Sequence, residues 1–297
     1  MTTEAATTAW SVPNPDVTEM EAPVARLIQE SRASVLGEPY SARAWGELGM
    51  VLDAHHLYAP AETCYRRAHA LDPTDFRWPY FLAIVGTFVG TPAETIVQRF
   101  EAAAEIDPDY GPLYARMGDV LASASQLDKA QKVYQEALRH NARYAIVHRG
   151  IGQLLLAQGD PQGALRHLLE TVKLRDGDRG TYASLAQAYR RLGRLDDAKA
   201  ASTAASRLGA RLHYEDGLRG EHVGNRAVSS RVLMDRARFW MSNGLYELAI
   251  KDLKTVLELL EHESIHRQLV DAYEQTGQNE LAQQHRNAAD RLRDGSD

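Results

Sequence analysis

The chain has 297 residues, and its 44% hydrophobic content is ordinary for a soluble protein that forms a packed core. A formal net charge of −6 disfavours a protein that binds nucleic acid through a general basic surface. The single cysteine, Cys64, excludes an internal disulfide and a four-cysteine zinc site. The longest stretch without Asp, Glu, Lys or Arg, residues 78–93, is too short to span a membrane.

The charge is unevenly spread along the chain. Residues 1–110 carry 7 basic and 16 acidic side chains, net −9, whereas residues 111–220 carry 17 basic and 11 acidic side chains, net +6. Such asymmetry affects how partners are attracted to the protein rather than which fold it adopts.

Residues 1–22 are predicted to form a flexible N-terminal tail, because they are rich in Thr, Ala and Pro. The first nine residues contain no basic side chain and no apolar run, so they do not match a secretion signal. We therefore expect a cytoplasmic protein, or a periplasmic one if a signal peptide has been removed. Residues 23–39 place Val24, Leu27, Ile28 and Val35 on one helical face, which predicts an N-terminal capping helix.

A residue pattern with a period of about 34 residues follows and runs through most of the chain. Its first copy combines large, small, aromatic and proline positions in a fixed order: Trp45, Leu48, Gly49, Leu52, Ala61, Tyr65, Ala68 and Pro73. Later copies repeat this order, at Tyr114, Met117, Gly118, Leu121, Ala130, Tyr134 and Ala137, then at His148, Ile151, Gly152, Leu155, Ala164 and Leu168. Within each half of a copy the apolar residues recur three and four positions apart, as on one face of a helix.

This period and order of residues resemble the tetratricopeptide repeat, in which each unit is a pair of antiparallel helices. The resemblance covers residues 41–292 in about seven copies, and the segment 44–85 is similar to bacterial members of the family. It implies an all-α fold, a right-handed superhelical α-solenoid with terminal capping helices. The sixth copy departs from the pattern, because Arg236 occupies a position where leucine is expected.

The predicted domain organisation follows the register of the copies. Five repeats occupy residues 40–208, an inserted connector occupies residues 209–226, and two repeats with a C-terminal cap occupy residues 227–297. A connector between regular units is either a solvated link, which we favour here, or a loop that binds a ligand.

Three short motifs offer enzyme-like alternatives. The string His262-Glu263-Ser264-Ile265-His266 matches the zinc-protease pattern, in which two histidines hold the metal and the glutamate acts as a base. No third ligand is evident, so we interpret the string as the start of the seventh repeat. Cys64 near His55-His56 allows a cysteine nucleophile, and Asp-Gly-Asp at 176–178 matches part of a calcium loop whose other ligands are missing. We predict no metal, no cofactor and no enzymatic activity.

The resemblance also implies that the first helix of each pair lines a concave groove that accepts a peptide. At the matching positions, the candidate partner-binding residues are Arg43, Arg77, Tyr80, Asp119, Arg149, Gln153, Gln187, Arg190 and Arg238. The arginines as a set favour an acidic or carboxylate-bearing protein or peptide partner, because a guanidinium group binds a carboxylate with two parallel hydrogen bonds. The predicted function is an interaction scaffold or adaptor. The alternatives are a self-associating subunit of a larger assembly and a zinc hydrolase.

Overall fold

The computed structural model describes residues 10–175, 178–208 and 216–294, and these residues form helices and connecting turns without any strand. The all-helical prediction is therefore confirmed. The helices are α1 (Ala22–Gly37), α2 (Ala42–Ala54), α3 (Tyr58–Leu71), α4 (Arg77–Gly86), α5 (Ala93–Ile106), α6 (Gly111–Ser123), α7 (Leu127–His140), α8 (Ala145–Gln158), α9 (Pro161–Leu174), α10 (Arg179–Arg191), α11 (Leu195–Arg207), α12 (Gly217–His222), α13 (Ser230–Ser242), α14 (Tyr246–Leu257), α15 (Glu263–Gln275) and α16 (Asn279–Asp294).

The chain divides into two compact units. Unit 1 combines Met1–Cys64 with Gly220–Asp297, and unit 2 is the continuous segment Tyr65–Arg219. Unit 1 is thus built from both ends of the sequence.

Unit 2 is a stack of helix hairpins. Helices α4 and α5, α6 and α7, α8 and α9, and α10 and α11 pack as consecutive pairs, and the second helix of each pair also contacts the first helix of the next. The first helices lie side by side as well, since α6 contacts α8 and α8 contacts α10. This is the arrangement expected of repeats that bury their apolar faces only against their neighbours.

Small residues at fixed repeat positions allow this close packing. Tyr134 on α7 is buried, and its ring fits between Gly118 on α6 and Gly150 on α8. A Cβ atom would lie only 2.5 Å from Cε1 of Tyr134 if added at Gly118, and 2.7 Å from Cζ if added at Gly150. Both glycines are therefore needed for the ring to bridge two successive repeats.

Left-handed glycines and a capping aspartate mark helix ends in unit 2. Gly159 adopts a left-handed conformation with φ 85°, and the Asp160 side chain caps α9 by accepting a hydrogen bond from the backbone N–H of Gly163 at 2.8 Å. Gly193 is also left-handed, with φ 72°. Arg194 occupies the N-cap position of α11 without a capping side-chain hydrogen bond, and Asp196 lies in the first turn of the helix.

In unit 1, an ion pair in the hairpin of α13 and α14 compensates for the arginine that stands where the repeat pattern favours leucine. The guanidinium group of Arg236 donates two hydrogen bonds of 2.6 Å to the carboxylate of Asp252, which is 5% exposed. The indole Nε1 of Trp240 donates a third hydrogen bond to Asp252 at 3.1 Å. A buried ion pair therefore takes the place of the apolar contact that the expected leucine would make.

Polar contacts join the two chain segments that make up unit 1. Arg226, which ends a 3₁₀ turn, donates two hydrogen bonds of 2.6 Å to the carboxylate of Glu47 on α2. At the start of α13, the backbone N–H and the hydroxyl of Ser230 both donate to the carboxylate of Glu21 at 2.6 Å.

Candidate functional site

Seven of the nine predicted groove residues belong to first helices of unit 2. They are Arg77 and Tyr80 on α4, Asp119 on α6, Arg149 and Gln153 on α8, and Gln187 and Arg190 on α10. The other two residues lie in unit 1. There, Arg43 is exposed on α2, and Arg238 is exposed on α13, where it pairs with Asp235 at 2.7 Å.

Among the candidates in unit 2, the exposed ones lie on α8 and α10. Gln153, Gln187 and Arg190 are all exposed to solvent. Arg149 is half-buried, and its Nη1 donates to Oδ2 of Asp178 at 2.9 Å. Asp178 also caps α10 by accepting from the backbone N–H of Thr181 at 2.8 Å, so Arg149 connects α8 to the start of α10.

The candidates on α4 and α6 make local contacts. Arg77 forms an ion pair of 2.5 Å with Asp75, and its guanidinium group lies 4.5 Å from the ring centroid of Trp78. Asp119 accepts a hydrogen bond from the hydroxyl of Tyr134. The bond between Tyr134 and Asp119 therefore connects α7 to α6.

Tyr80 is fully buried, and its hydroxyl bonds to a residue of the connector. The hydroxyl of Tyr80 donates to Oδ2 of Asp216 at 2.6 Å, and the hydroxyl of Tyr110 donates to Oδ1 at 2.7 Å. Arg116 on α6 donates to Oδ2 from Nη2 at 2.9 Å and from Nε at 3.1 Å. The backbone N–H of Arg219 donates to Oδ1 at 2.9 Å. Asp216 is only 8% exposed, and its carboxylate thus accepts from four residues of unit 2.

The electrostatics of this cluster keep Asp216 ionised. Burial alone would raise the pKa of Asp216, but the Arg116 cation and the hydrogen bonds from Tyr80, Arg219 and Tyr110 together hold it below its ordinary value. Burial, with a further contribution from the Asp216 carboxylate, raises the pKa of the Tyr80 and Tyr110 phenols. Both phenols are therefore protonated donors at neutral pH.

Sequence reasoning did not select Asp216, Tyr110 or Arg116. The available signal was the connector itself, predicted over residues 209–226 as a link or a binding loop. Its first seven residues, 209–215, lie outside the described part of the chain, and Asp216 is where the description resumes. The repeat pattern cannot show which residues a connector touches, because the contacting tyrosines are 106 and 136 positions away.

A cavity of about 480 Å³ lies beside this cluster in unit 2. Its lining is mostly apolar, with Ile84, Phe88, Ile96 and Phe100 among its residues. Arg116 lines the cavity and also contacts Asp216, so the two features share one side chain. The volume is within the range of sites that accept small ligands or side chains.

Comparisons with known proteins decide the family. Two models described as tetratricopeptide repeat match residues 116–179 and 180–208. The crystal structure of a tetratricopeptide repeat protein from Parabacteroides merdae is similar, with a TM-score of 0.56 and 14% identity over 83% of this chain and 91% of that one. The chain contains tetratricopeptide repeats.

Curated relatives share only part of this tetratricopeptide repeat protein. BBSome complex member BBS4 from Mus musculus is 28% identical over 135 residues, which is 46% of this chain and 26% of that protein. The probable UDP-N-acetylglucosamine–peptide N-acetylglucosaminyltransferase SPINDLY from Hordeum vulgare is 35% identical over 107 residues, 34% of this chain and 11% of that protein. The matched region thus spans about a quarter or less of these relatives.

In this tetratricopeptide repeat protein, the string that matches the zinc-protease pattern, residues 262–266, forms the beginning of α15. His262 caps α15 by accepting from the backbone N–H of Ser264 at 3.2 Å, and Glu263 forms an ion pair of 2.6 Å with Arg267. His266 is buried, and its Nδ1 lies 2.8 Å from Nδ1 of His285 on α16. Within residues 10–175, 178–208 and 216–294, no group of three or more His, Cys, Asp or Glu residues is arranged to hold a metal ion.

A second histidine pair occupies the same repeat positions in unit 2. Nδ1 of His148 lies 3.0 Å from Nδ1 of His167, and the two residues are again 19 positions apart. In each pair one imidazole donates and the other accepts, so at least one ring must be neutral.

The remaining enzyme-like motifs have structural partners. The Cys64 thiol is fully buried, and burial raises its pKa, which disfavours the reactive thiolate. Nε2 of His55 lies 3.2 Å from the carbonyl oxygen of Arg226, and Nδ1 of His56 lies 2.6 Å from the hydroxyl of Tyr58. In the motif that matches part of a calcium loop, residues 176 and 177 lie outside the described residues, and Asp178 caps α10.

None of the helices that the structure describes is long and apolar enough to cross a lipid bilayer.

Proposed function

We propose that this tetratricopeptide repeat protein is a non-enzymatic scaffold that binds an acidic segment of a partner protein on the first-helix face of unit 2. The observation that supports this proposal most directly is the contact of α6, α8 and α10, which places side chains of successive repeats on neighbouring helices. Arg190, Gln153 and Gln187 are exposed on this face and provide donors for a peptide.

The charge of the repeats also favours an acidic partner. Residues 111–220 carry a net charge of +6 in a chain whose overall net charge is −6. A positive region attracts negatively charged partners over long range and raises their association rate, an effect that salt screens.

The test uses the full chain as bait in a lysate of its native source. Proteins captured at low and high ionic strength are identified by mass spectrometry, and the affinity of the leading candidate is then measured by calorimetry. We expect binding to weaken with salt and to weaken at least fivefold in Arg190→Glu, because charge reversal repels an acidic segment. The matched control is Arg207→Glu, an exposed arginine on the second helix of the same repeat. Equal affinity of the wild-type and Arg190→Glu proteins would contradict the proposed face.

Self-association is the alternative function, and the charge distribution favours it specifically. The acidic first third, with net charge −9, complements the basic middle of a second copy. Light scattering over a concentration series separates the two proposals. A mass that rises with concentration at low salt and falls at high salt supports assembly, and a constant monomer mass excludes it.

A further inference from the structure

The connector of this protein places one carboxylate against the first helices of its own repeats. Asp216 contacts Tyr80 on α4, Tyr110 at the start of α6 and Arg116 on α6, across 136, 106 and 100 residues of sequence. Two phenol hydroxyls and a guanidinium fork form a set of donors suited to a carboxylate. The site binds a negatively charged side chain on the helices that are proposed to bind the partner.

The donors of this site are held in place by contacts that do not involve Asp216. The ring of Phe76 stacks on Tyr80 with centroids 5.3 Å apart and meets Tyr110 edge-on at 5.1 Å. The rings of Tyr80 and Tyr110 are themselves edge-on at 5.3 Å, and Nε of Arg116 donates to the Tyr80 hydroxyl at 3.0 Å. Since aromatic contacts and this hydrogen bond fix the donors, the site is pre-organised for a carboxylate from another source.

We propose that Tyr80, Tyr110 and Arg116 form a carboxylate-recognition site for the partner, and that Asp216 occupies this site in cis as a competitor. The inference rests on the proposed scaffold function and specifies the partner further. The occupant is an internal aspartate or glutamate side chain of a partner segment, because the carboxylate now bound is itself a side chain within a continuous chain. Binding of the partner requires Asp216 to leave.

Competition by a tethered group has a predictable effect. A group that belongs to the same folded chain as its site acts at a high effective concentration, on the order of 1 mM, so it outcompetes a weak free ligand at ordinary concentrations. Removing the tethered carboxylate should therefore raise the apparent affinity for a free peptide at least tenfold.

The test uses a peptide from the chain itself, so it needs no identified partner. The probe is a fluorescein-labelled, amidated peptide with the sequence of residues 216–222, Asp-Gly-Leu-Arg-Gly-Glu-His. Its binding to the full-length wild-type and Asp216→Ala proteins is measured by fluorescence anisotropy. We expect Asp216→Ala to bind the peptide at least tenfold more tightly than the wild type does. A peptide with asparagine in place of its aspartate should not bind.

Two controls separate recognition from a general loosening of the fold. Asp252→Asn also removes a buried carboxylate that is paired with an arginine, but in unit 1, and it should bind the peptide no better than the wild type. Asp216→Ala combined with Arg116→Gln should lose the gained affinity. If Asp216→Ala fails to fold by circular dichroism, Asp216→Asn, which keeps the side-chain shape, replaces it with the same expected order.

The outcomes are distinct from those of the scaffold test. Equal peptide affinity of the wild type and Asp216→Ala, or equal binding of the aspartate and asparagine peptides, would overturn the carboxylate site. Such a result would not contradict the scaffold function, because the Arg190→Glu experiment tests that function independently of Asp216.

Discussion

The ion pair between α13 and α14 and the repeat pattern give opposite predictions for the stability of a variant at position 236. Arg236 stands where the pattern favours leucine, so Arg236→Leu would be chosen as a stabilising change from the sequence alone. The structure pairs Arg236 with Asp252, whose side chain is only 6% exposed. We predict that Arg236→Leu destabilises the hairpin, because it leaves a buried carboxylate without its counter-ion.

The magnitude follows from the burial of the two partners. Breaking a fully buried ion pair costs about 3–5 kcal/mol. The side chain of Arg236 is 22% exposed, and Trp240 still donates to Asp252 after the change, so the loss is smaller, about 2–3 kcal/mol. Burial of the leucine side chain offsets about 1 kcal/mol of this loss. The net decrease in the free energy of unfolding should be about 1–2 kcal/mol.

The assay is urea unfolding followed by circular dichroism, with amide hydrogen exchange to show that the change is confined to α13 and α14. The control is Arg238→Leu on the same helix, whose ion pair with Asp235 joins side chains that are 64% and 42% exposed. It should change stability by less than about 0.5 kcal/mol. The double variant Arg236→Leu with Asp252→Leu should recover most of the loss. If Arg236→Leu alone is as stable as the wild type, the buried pair does not stabilise the hairpin and the reasoning is refuted.

Two further predictions concern the repeat packing and the histidine pairs. Gly150→Ala should lower the free energy of unfolding by about 1–2 kcal/mol, because the clash with Tyr134 outweighs the gain in helix propensity. Gly180→Ala, where a Cβ meets nothing closer than 3.5 Å, should leave stability unchanged or slightly higher, and equal urea midpoints for the two variants would contradict this. Burial and the neighbouring imidazole lower the pKa of both His167 and His285 below 6.5. The folded state therefore favours the neutral rings, and the free energy of unfolding should fall as the pH drops below about 6.5. Replacing both histidines with glutamine should reduce this fall between about pH 7.5 and pH 5.5, and an unaltered pH dependence would count against the assignment.

The sequence predicted the hairpins because the residues that form them are close in sequence. Within each repeat, a small residue such as Gly118 and an aromatic residue such as Tyr134 recur at fixed positions, and their packing depends only on the helical period. Asp252 also lies only 16 positions after Arg236. The sequence therefore contained, on the next helix, an acidic residue that could pair with the arginine standing in place of leucine.

The candidate site was less predictable for a physical reason. The contact between Tyr80 and Asp216 joins a repeat to a connector that has no period, so no register links the two residues. The pattern correctly placed Tyr80 on a first helix. It did not indicate that a carboxylate of the same chain would accept a hydrogen bond from the tyrosine hydroxyl.

The discontinuity of unit 1 has a consequence for synthesis of the protein on the ribosome. Its N-terminal residues emerge first, but the residues that Glu47 and Glu21 bind, Arg226 and Ser230, emerge only after all of unit 2. The continuous unit can therefore complete its packing on the nascent chain. The N-terminal helices must wait, with part of their surface uncovered, until the last quarter of the polypeptide has been translated.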